Sequence, residues 1–454
     1  MNPQYHHYIP RFLLRNFAID KYERVFEGNI KQQQRKGRRK NKGLKKESRR
    51  KAEILQTYDR KKEQLGTSLI GETYGYRDMY KDFNNNDVMH VEEKLSKLEC
   101  RASKTIKDIL EASQEQNQVV LLRKDLEDLR KFIFIMNYRN GHRWRQFTGA
   151  NFDPSTRSMV KDFMQQQNLK RPEEVWLQNI REILDTPHHE VKDNMKIFKV
   201  DRDDYKQRMI EYFLVIWQAG ENDEFIVTSN GFGIFEGVTG TIFGSPFGFA
   251  YHSFYVISPK LVLVLCPSFF RKEVGQTEIL YKMFNGQRSI FENVPHPAAI
   301  PKHVGRVNAS RSGSNDEPKF DITNLTDPFD LKSHLFDAAL KANGIKRHMN
   351  DEFTFSFVKI DSATVHLVNA ILLNEVGPDL VLTFVSHSYL YKTIVKYHNH
   401  YEDSAKKDFT NLKKKLRTEL NRTHEDDLHL RKNVPASSTF TWNVREMIKN
   451  HDKY

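Results

Sequence analysis

Apolar residues recur through Val91, Leu95, Leu98, Ala102, Ile106 and Ile109 at helical spacing, which predicts an amphipathic helix over 88–113. A second helix is expected from about Arg123 to Arg145, with a buried stripe of Leu126, Leu129, Phe132, Ile133 and Met136 and fraying near Gly141. A weaker helical pattern covers 155–183 and ends before the turn at Asp185-Thr186-Pro187. The period then changes. EYFLVIWQA and EFIVTSN are dense in β-branched and aromatic residues and are separated by GEND, which reads as a hairpin. HSFYVIS and KLVLVLC repeat the pattern across Ser258-Pro259. Residues 302–326, rich in Ser, Asn and Asp, read as a polar surface loop. Helices are expected again at 328–344, 359–375 and 387–400, with a charged last one near 404–432.

The N-terminal part is less regular. HHYIPRFLLRNF is followed by a short β-like ERVFEG, and 54–80 reads as a small hairpin region punctuated by Gly66, Gly71 and Gly75. The order helices, strands, helices points to an α+β class: one large, mostly helical domain around a small, mainly antiparallel sheet of about four strands. The expected organisation is one domain over 1–400 and a charged helical tail over 401–454.

Charge changes this picture in one place. The chain has 72 Lys and Arg against 59 Asp and Glu, a net +13. Residues 31–51 hold twelve Lys or Arg and one Glu, so +11 of the +13 sits there and the remainder is almost neutral. That stretch has one aliphatic residue, Leu44, and no aromatic, so burial cannot offset its ordering entropy and a disordered basic insertion is expected. Three readings stand open: a solvated linker, a nuclear-import address read by an import receptor, and an arm that tracks nucleic-acid phosphates. The last two would use Arg35, Lys36, Arg38, Arg39, Lys40, Lys45, Lys46, Arg49, Arg50 and Lys51.

Composition excludes more than it assigns. With 31 Phe, 18 Tyr and 4 Trp, wholesale disorder and collagen-like repeats are ruled out. Only Cys100 and Cys266 are present, so no disulfide framework is expected and a reducing compartment, nucleus or cytoplasm, is implied. No apolar run reaches the roughly 18 residues needed to cross a bilayer, and MNPQYHHYIPRF lacks the apolar core of a secretory signal. Phosphate-binding loops, dinucleotide fingerprints, kinase signatures and zinc-type Cys patterns are missing, so no cofactor and no metal site is indicated.

HHYIPRFLLRNF, VEEKLSKLE and KFIFIMNYRNGHRWR, taken in order, resemble the uncharacterised domain-of-unknown-function family numbered 4238. FIVTSNGFGIFEG, YHSFYVISPKLVLVL and FSFVKIDSATVHLVNAILL extend the resemblance, toward the fungal branch, over roughly 5–395. The bacterial branch carries an Asp in a Thr-Ser-Asp-Asn-Pro-like turn where this chain has Ser229-Asn230-Gly231. The family has no settled activity, so the resemblance constrains the fold and not the function.

Chemistry is sought among polar residues beside apolar faces. With Val91 as origin and about 100° per residue, Glu92 falls near 100° and Glu99 near 80°, both flanking the stripe of the first helix. On the second, with Leu129 as origin, Arg139 falls near 280° and Arg143 near 320°, on or beside its stripe. A buried arginine needs a partner, so Glu92 and Glu99 are the expected ones if the helices run antiparallel. Either these groups form an ionic network that fixes the packing, or one arginine grips a phosphate or carboxylate.

His7 fits the family's His-Tyr-x-Pro pattern and would need a carbonyl or carboxylate to fix its tautomer as a base. Ser229 and Asn230 end a strand, where an Asx-type turn competes with a ligand contact. His398-Asn399-His400 and His188-His189-Glu190 lack the context of a metal site. The leading expectation is a nucleic-acid-associated protein using the basic stretch and an Arg139–Arg143 surface. Its alternatives are a hydrolase of phosphodiester or similar anionic substrates, with His7, Glu92 and Glu99 as base or ligands, and a non-catalytic protein–protein adaptor.

Overall fold

The computed structural model describes residues 4–19, 53–83, 85–242, 245–267, 301–306, 348–375, 381–400 and 407–431, with single residues 289, 291, 377 and 380. The basic stretch 31–51, the β-like ERVFEG and the helix expected at 328–344 lie outside the described residues.

The chain opens with β1 (Tyr5–His7), α1 (Arg11–Arg15), the hairpin β2 (Ile54–Asp59) and β3 (Gln64–Leu69), and β4 (Gly75–Arg77). There follow α2 (His90–Glu115), β5 (Gln118–Leu122), α3 (Arg123–Tyr138), α4 (Gly141–Thr148), α5 (Pro154–Gln167), α6 (Pro172–Asp185) and α7 (Lys199–Tyr205). The sheet-rich part is β6 (Tyr212–Gln218), β7 (Val227–Thr228), β8 (Phe232–Ile242), β9 (Ser245–Val256), β10 (Leu261–Pro267), β11 (Lys302–Arg306) and β12 (Asp351–Lys359). Then come α8 (Ser362–Asn374), β13 (Val381–Phe384), α9 (His387–His400) and α10 (Thr410–Arg431).

The strands overturn the expected small antiparallel sheet. The described residues form three sheets: β1-β4, a four-stranded β3-β2-β13-β7, and a seven-stranded one ordered β11-β12-β6-β10-β9-β8 with β5 also on β12. The largest is mixed, because Phe357–Lys359 of β12 run parallel to Ile216–Gln218 of β6. EYFLVIWQA and EFIVTSN do not pair across GEND. Six of the seven residues of β6 are buried, so it is a central strand that needs a neighbour on each edge, and β10 and β12 supply them. The GEND segment is instead tied down by Lys260, whose Nζ donates to the carbonyls of Gly220, Glu221 and Asp223 at 3.1, 2.6 and 2.5 Å. The chain therefore leaves the sheet, and β7 pairs with β13.

Helix α2 buries the stripe read from its sequence, and α3 packs against it with Leu126, Leu129, Phe132, Ile133 and Met136 buried. Helix α3 is covered on further sides too. Its buried Arg130 reaches the carbonyls of Met209 and Tyr212, and Lys131 reaches that of Thr186. The expected single helix to Arg145 is broken. Arg139 ends α3, and Asn140 caps α4 by accepting the Arg143 N–H at 2.8 Å. The pattern over 155–183 is likewise two helices, separated by Asn168 in the left-handed region (φ 54°) and restarted at Pro172. The first five residues of the expected 302–326 loop are β11, and the rest lie outside the described residues. At the other end of the gap after Ile19, an isolated bridge joins Ile19 to Ile54, with the Ile19 N–H on the Ile54 carbonyl at 2.9 Å.

Candidate active site

Alternation along β1 sends His6 inward and leaves His7 half-buried on the other face. Opposite His7 stands Gly75, and any Cβ there would run into the His6 carbonyl and the Tyr5 ring. Glycine thus lets β4 close on β1. His7 Nε2 lies 3.0 Å from the Ile70 carbonyl, which can only accept, so Nε2 carries the proton and Nδ1 the lone pair. Burial pushes the imidazole pKa below its ordinary value, the Ile70 carbonyl works the other way, and Arg11 and Arg139 add to the lowering.

Arg139 is 1% exposed and lies within electrostatic reach of His7. It gives one Nη2 bond to Glu99 Oε1 at 2.6 Å, and its guanidinium lies 5.9 Å from the Tyr80 ring centroid. Of the two partners expected from the sequence, Glu99 bonds Arg139 directly, while Glu92, two turns away on α2, acts on it only through its charge. Burial raises the Glu92 carboxyl above its ordinary value, against the pull of Arg139 and with repulsion from Glu99. Two carboxylates of one helix face thus sit in unlike environments: Glu99 is bound to a guanidinium, and Glu92 is held toward its neutral form.

Tyr80 completes the cluster, and the sequence reading missed it. It is buried, receives His6 as a stacked ring at 5.4 Å, and donates its hydroxyl to the His7 carbonyl at 3.3 Å. Its backbone N–H donates to His6 Nδ1 at 3.1 Å. Asp-Met-Tyr carries no motif; only the β1–β4 pairing, which holds the following turn against His6, places Tyr80 there.

The other predicted residues lie elsewhere. The break after Tyr138 removes Arg143 from the stripe of α3 and sends it to Asp201, which is buried. Asp201 also accepts from Tyr138 (3.2 Å) and Asn179 (2.8 Å), while Arg143 lies over the rings of Tyr138 and Phe147. Ser229 extends the β7–β13 ladder, its N–H on the Val381 carbonyl at 3.0 Å, and the Gly231 N–H closes a turn on Thr228. Neither Ser229 nor Asn230 contacts the His7 cluster through any described bond. The basic residues Arg35 to Lys51 lie outside the described residues.

A further buried acid, Glu224, escaped the sequence reading. It accepts from the backbone of Val385 (3.2 Å) and Ser386 (2.9 Å) at the start of α9, while burial pushes its pKa up to about 7. Nearby, His366 stacks on Tyr389 at 4.9 Å, pairs through Nδ1 with Thr393 at 3.0 Å, and is pushed by burial down to about 4. Among the described residues, no group of three or more His, Cys, Asp or Glu could hold a metal ion, and no helix is long and apolar enough to cross a membrane.

The model of the family described as protein of unknown function (DUF4238) matches residues 5–375, and the chain belongs to that family. No curated protein and no solved structure matches it.

Proposed function

We propose that the chain is a hydrolase of phosphodiester or similar anionic substrates, acting at the His7, Glu92, Glu99 and Arg139 cluster. The observation that supports this reading is that a histidine with its tautomer fixed by the Ile70 carbonyl and a carboxyl raised by burial both lie within electrostatic reach of the buried Arg139–Glu99 pair. His7 Nδ1 takes the proton of an attacking water. Glu92 returns a proton to the leaving oxygen, and Arg139, kept in place by Glu99 and Tyr80, supplies positive field to the developing charge. His7 serves as base above its lowered pKa and Glu92 as acid below its raised one, so the rate is expected to fall at both ends of the pH range.

The test is turnover of bis(p-nitrophenyl) phosphate, with and without added divalent cations, across pH. His7→Gln and Glu92→Gln are each expected to lower kcat by about a hundredfold or more while the melting temperature holds. Absence of turnover under every condition, or full activity in both variants, sinks the reading.

Nucleic-acid association without catalysis is the second reading, favoured by the placement of the +11 stretch. It lies between Ile19 and Glu53, and the Ile70 N–H donates to the Glu53 carbonyl while the Ile70 carbonyl holds His7. Steeply salt-dependent binding of DNA or RNA that vanishes on deletion of 31–51 supports it. The two free cysteines, Cys100 exposed and Cys266 buried, support an intracellular setting, nuclear or cytoplasmic.

A further inference from the structure

Two arginines act on His7, and they differ in exposure. Arg139 is buried and bonded to Glu99, whereas the Arg11 side chain is 52% exposed. Arg11 opens α1 directly after Pro10, and α1 packs on the turn at Ile70–Glu72. That turn ties the arrangement together. The Ile70 carbonyl accepts from His7 Nε2, and the Ile70 N–H donates to the Glu53 carbonyl. The Glu53 carboxylate in turn takes Arg15 Nε at 2.7 Å and Arg11 Nη2 at 3.3 Å.

These two contacts are unequal. The Arg15 bond is the first cause of the lowered Glu53 pKa, and Arg11 adds a longer, weaker one. Among the described residues that is the one hydrogen bond Arg11 makes, so its Nε and Nη1 donors have no protein acceptor. An exposed ion pair of this kind adds little to stability and is easily exchanged. Yet Arg11 has the largest charge effect on the half-buried His7, ahead of Glu99 and Arg139. An exposed guanidinium with open donors beside the base fits one ligand chemistry, a phosphate gripped through two of its oxygens. We propose that Arg11 leaves Glu53 to grip a second phosphate of the substrate, so that the His7 site prefers an anion with two neighbouring phosphates over one with a single phosphate. The substrate role rests on the hydrolase reading, but the binding preference is tested apart from it.

Calorimetry compares inorganic pyrophosphate with inorganic phosphate on the full chain and on Arg11→Gln, Arg11→Lys and Glu53→Gln. Pyrophosphate is expected to bind about tenfold or more tighter than phosphate. Arg11→Gln removes most of that preference, Arg11→Lys keeps an intermediate one because the charge stays and the fork is lost, and Glu53→Gln raises it. Melting temperatures are expected to hold, since the pair is exposed. A local readout is the His7 imidazole titration followed by NMR. Pyrophosphate raises the His7 pKa in the parent, because an anion beside it favours the imidazolium, and this rise is lost in Arg11→Gln. Equal affinity for the two anions, the same fall for both with Arg11→Gln, a His7 titration indifferent to pyrophosphate, or a Glu53→Gln preference no greater than the parent's overturns the assignment. Thymidine dinucleotide with and without a terminal phosphate, run in parallel, separates the sources. An Arg11-dependent gain from that phosphate points to a strand, and its absence beside a pyrophosphate preference points to a small polyphosphate. Arg11-dependent preference with intact dinucleotides removes the hydrolase and keeps the assignment; cleavage with no such preference does the reverse.

Discussion

Glu224 and His366 sit within one part of the fold, each about 6% exposed, and titrate in opposite senses. Burial moves the Glu224 carboxyl from 4.5 up to about 7, although two backbone N–H groups pull against it. Burial, with help from Lys396 and Lys392, moves the His366 imidazole from 6.5 down to about 4. Each displacement is worth about 3 kcal/mol. For Glu224 the folded state holds its proton longer, so that stabilisation is full below pH 4.5 and is lost as pH rises to about 7. For His366 the unfolded state takes the proton first, so stability is full above pH 6.5 and is lost as pH falls to about 4. Between these limits the two slopes oppose each other and nearly cancel.

Glu224→Gln keeps a carbonyl oxygen for the Ser386 N–H and removes the titration. The stability difference between this variant and the parent is expected to move in the variant's favour by about 3 kcal/mol between pH 4.5 and 7.5. Urea unfolding followed by circular dichroism at the two pH values measures it. His366→Gln is expected to leave the falling arm alone, so that stability drops over the same range. A difference for Glu224→Gln that stays constant across pH would refute the reasoning, because it would mean that the acid titrates in its ordinary range despite its burial.

Three further outcomes are expected. Glu99→Ala strands the Arg139 guanidinium beneath the surface and costs about 3 kcal/mol in urea unfolding, with Glu92 recovering part of the loss by ionising more readily. Gly233→Ala places a Cβ 2.6 Å from the Asn137 side chain at φ +77°, so it lowers the melting temperature through both strain and clash. Asp361→Ala removes the cap on the Thr364 N–H at 2.7 Å and costs about 1 kcal/mol, a loss that an Asn at the same position largely repairs.

Local periodicity carried the helices well where one face met the core. Every residue of the predicted stripes of α2 and α3 is buried, although α3 buries other faces as well, and the wheel that put Glu99 beside Arg139 was sound. It failed where a polar residue resets the chain. Asn140 lies in a run that continues the helical pattern, and only its cap reveals the break that takes Arg143 to Asp201. Strand pairing was less legible still. Apolar density identifies β6 and β10 as strands but does not say which neighbour each chooses, and β5 is a five-residue piece hidden between two helices. Tyr80, Asp201 and Glu224 have no local signature, because each acquires its environment from residues more than 15 positions away.

The Ile19–Ile54 bridge makes the intervening stretch detachable in a topological sense, since its two ends leave the fold side by side. Closing a loop depends only weakly on its length, each doubling costing about 0.6 kcal/mol. Changes in the length of the stretch between Ile19 and Ile54 are therefore expected to cost the rest of the chain little. That stretch is also the natural place to splice in a reporter or an affinity handle.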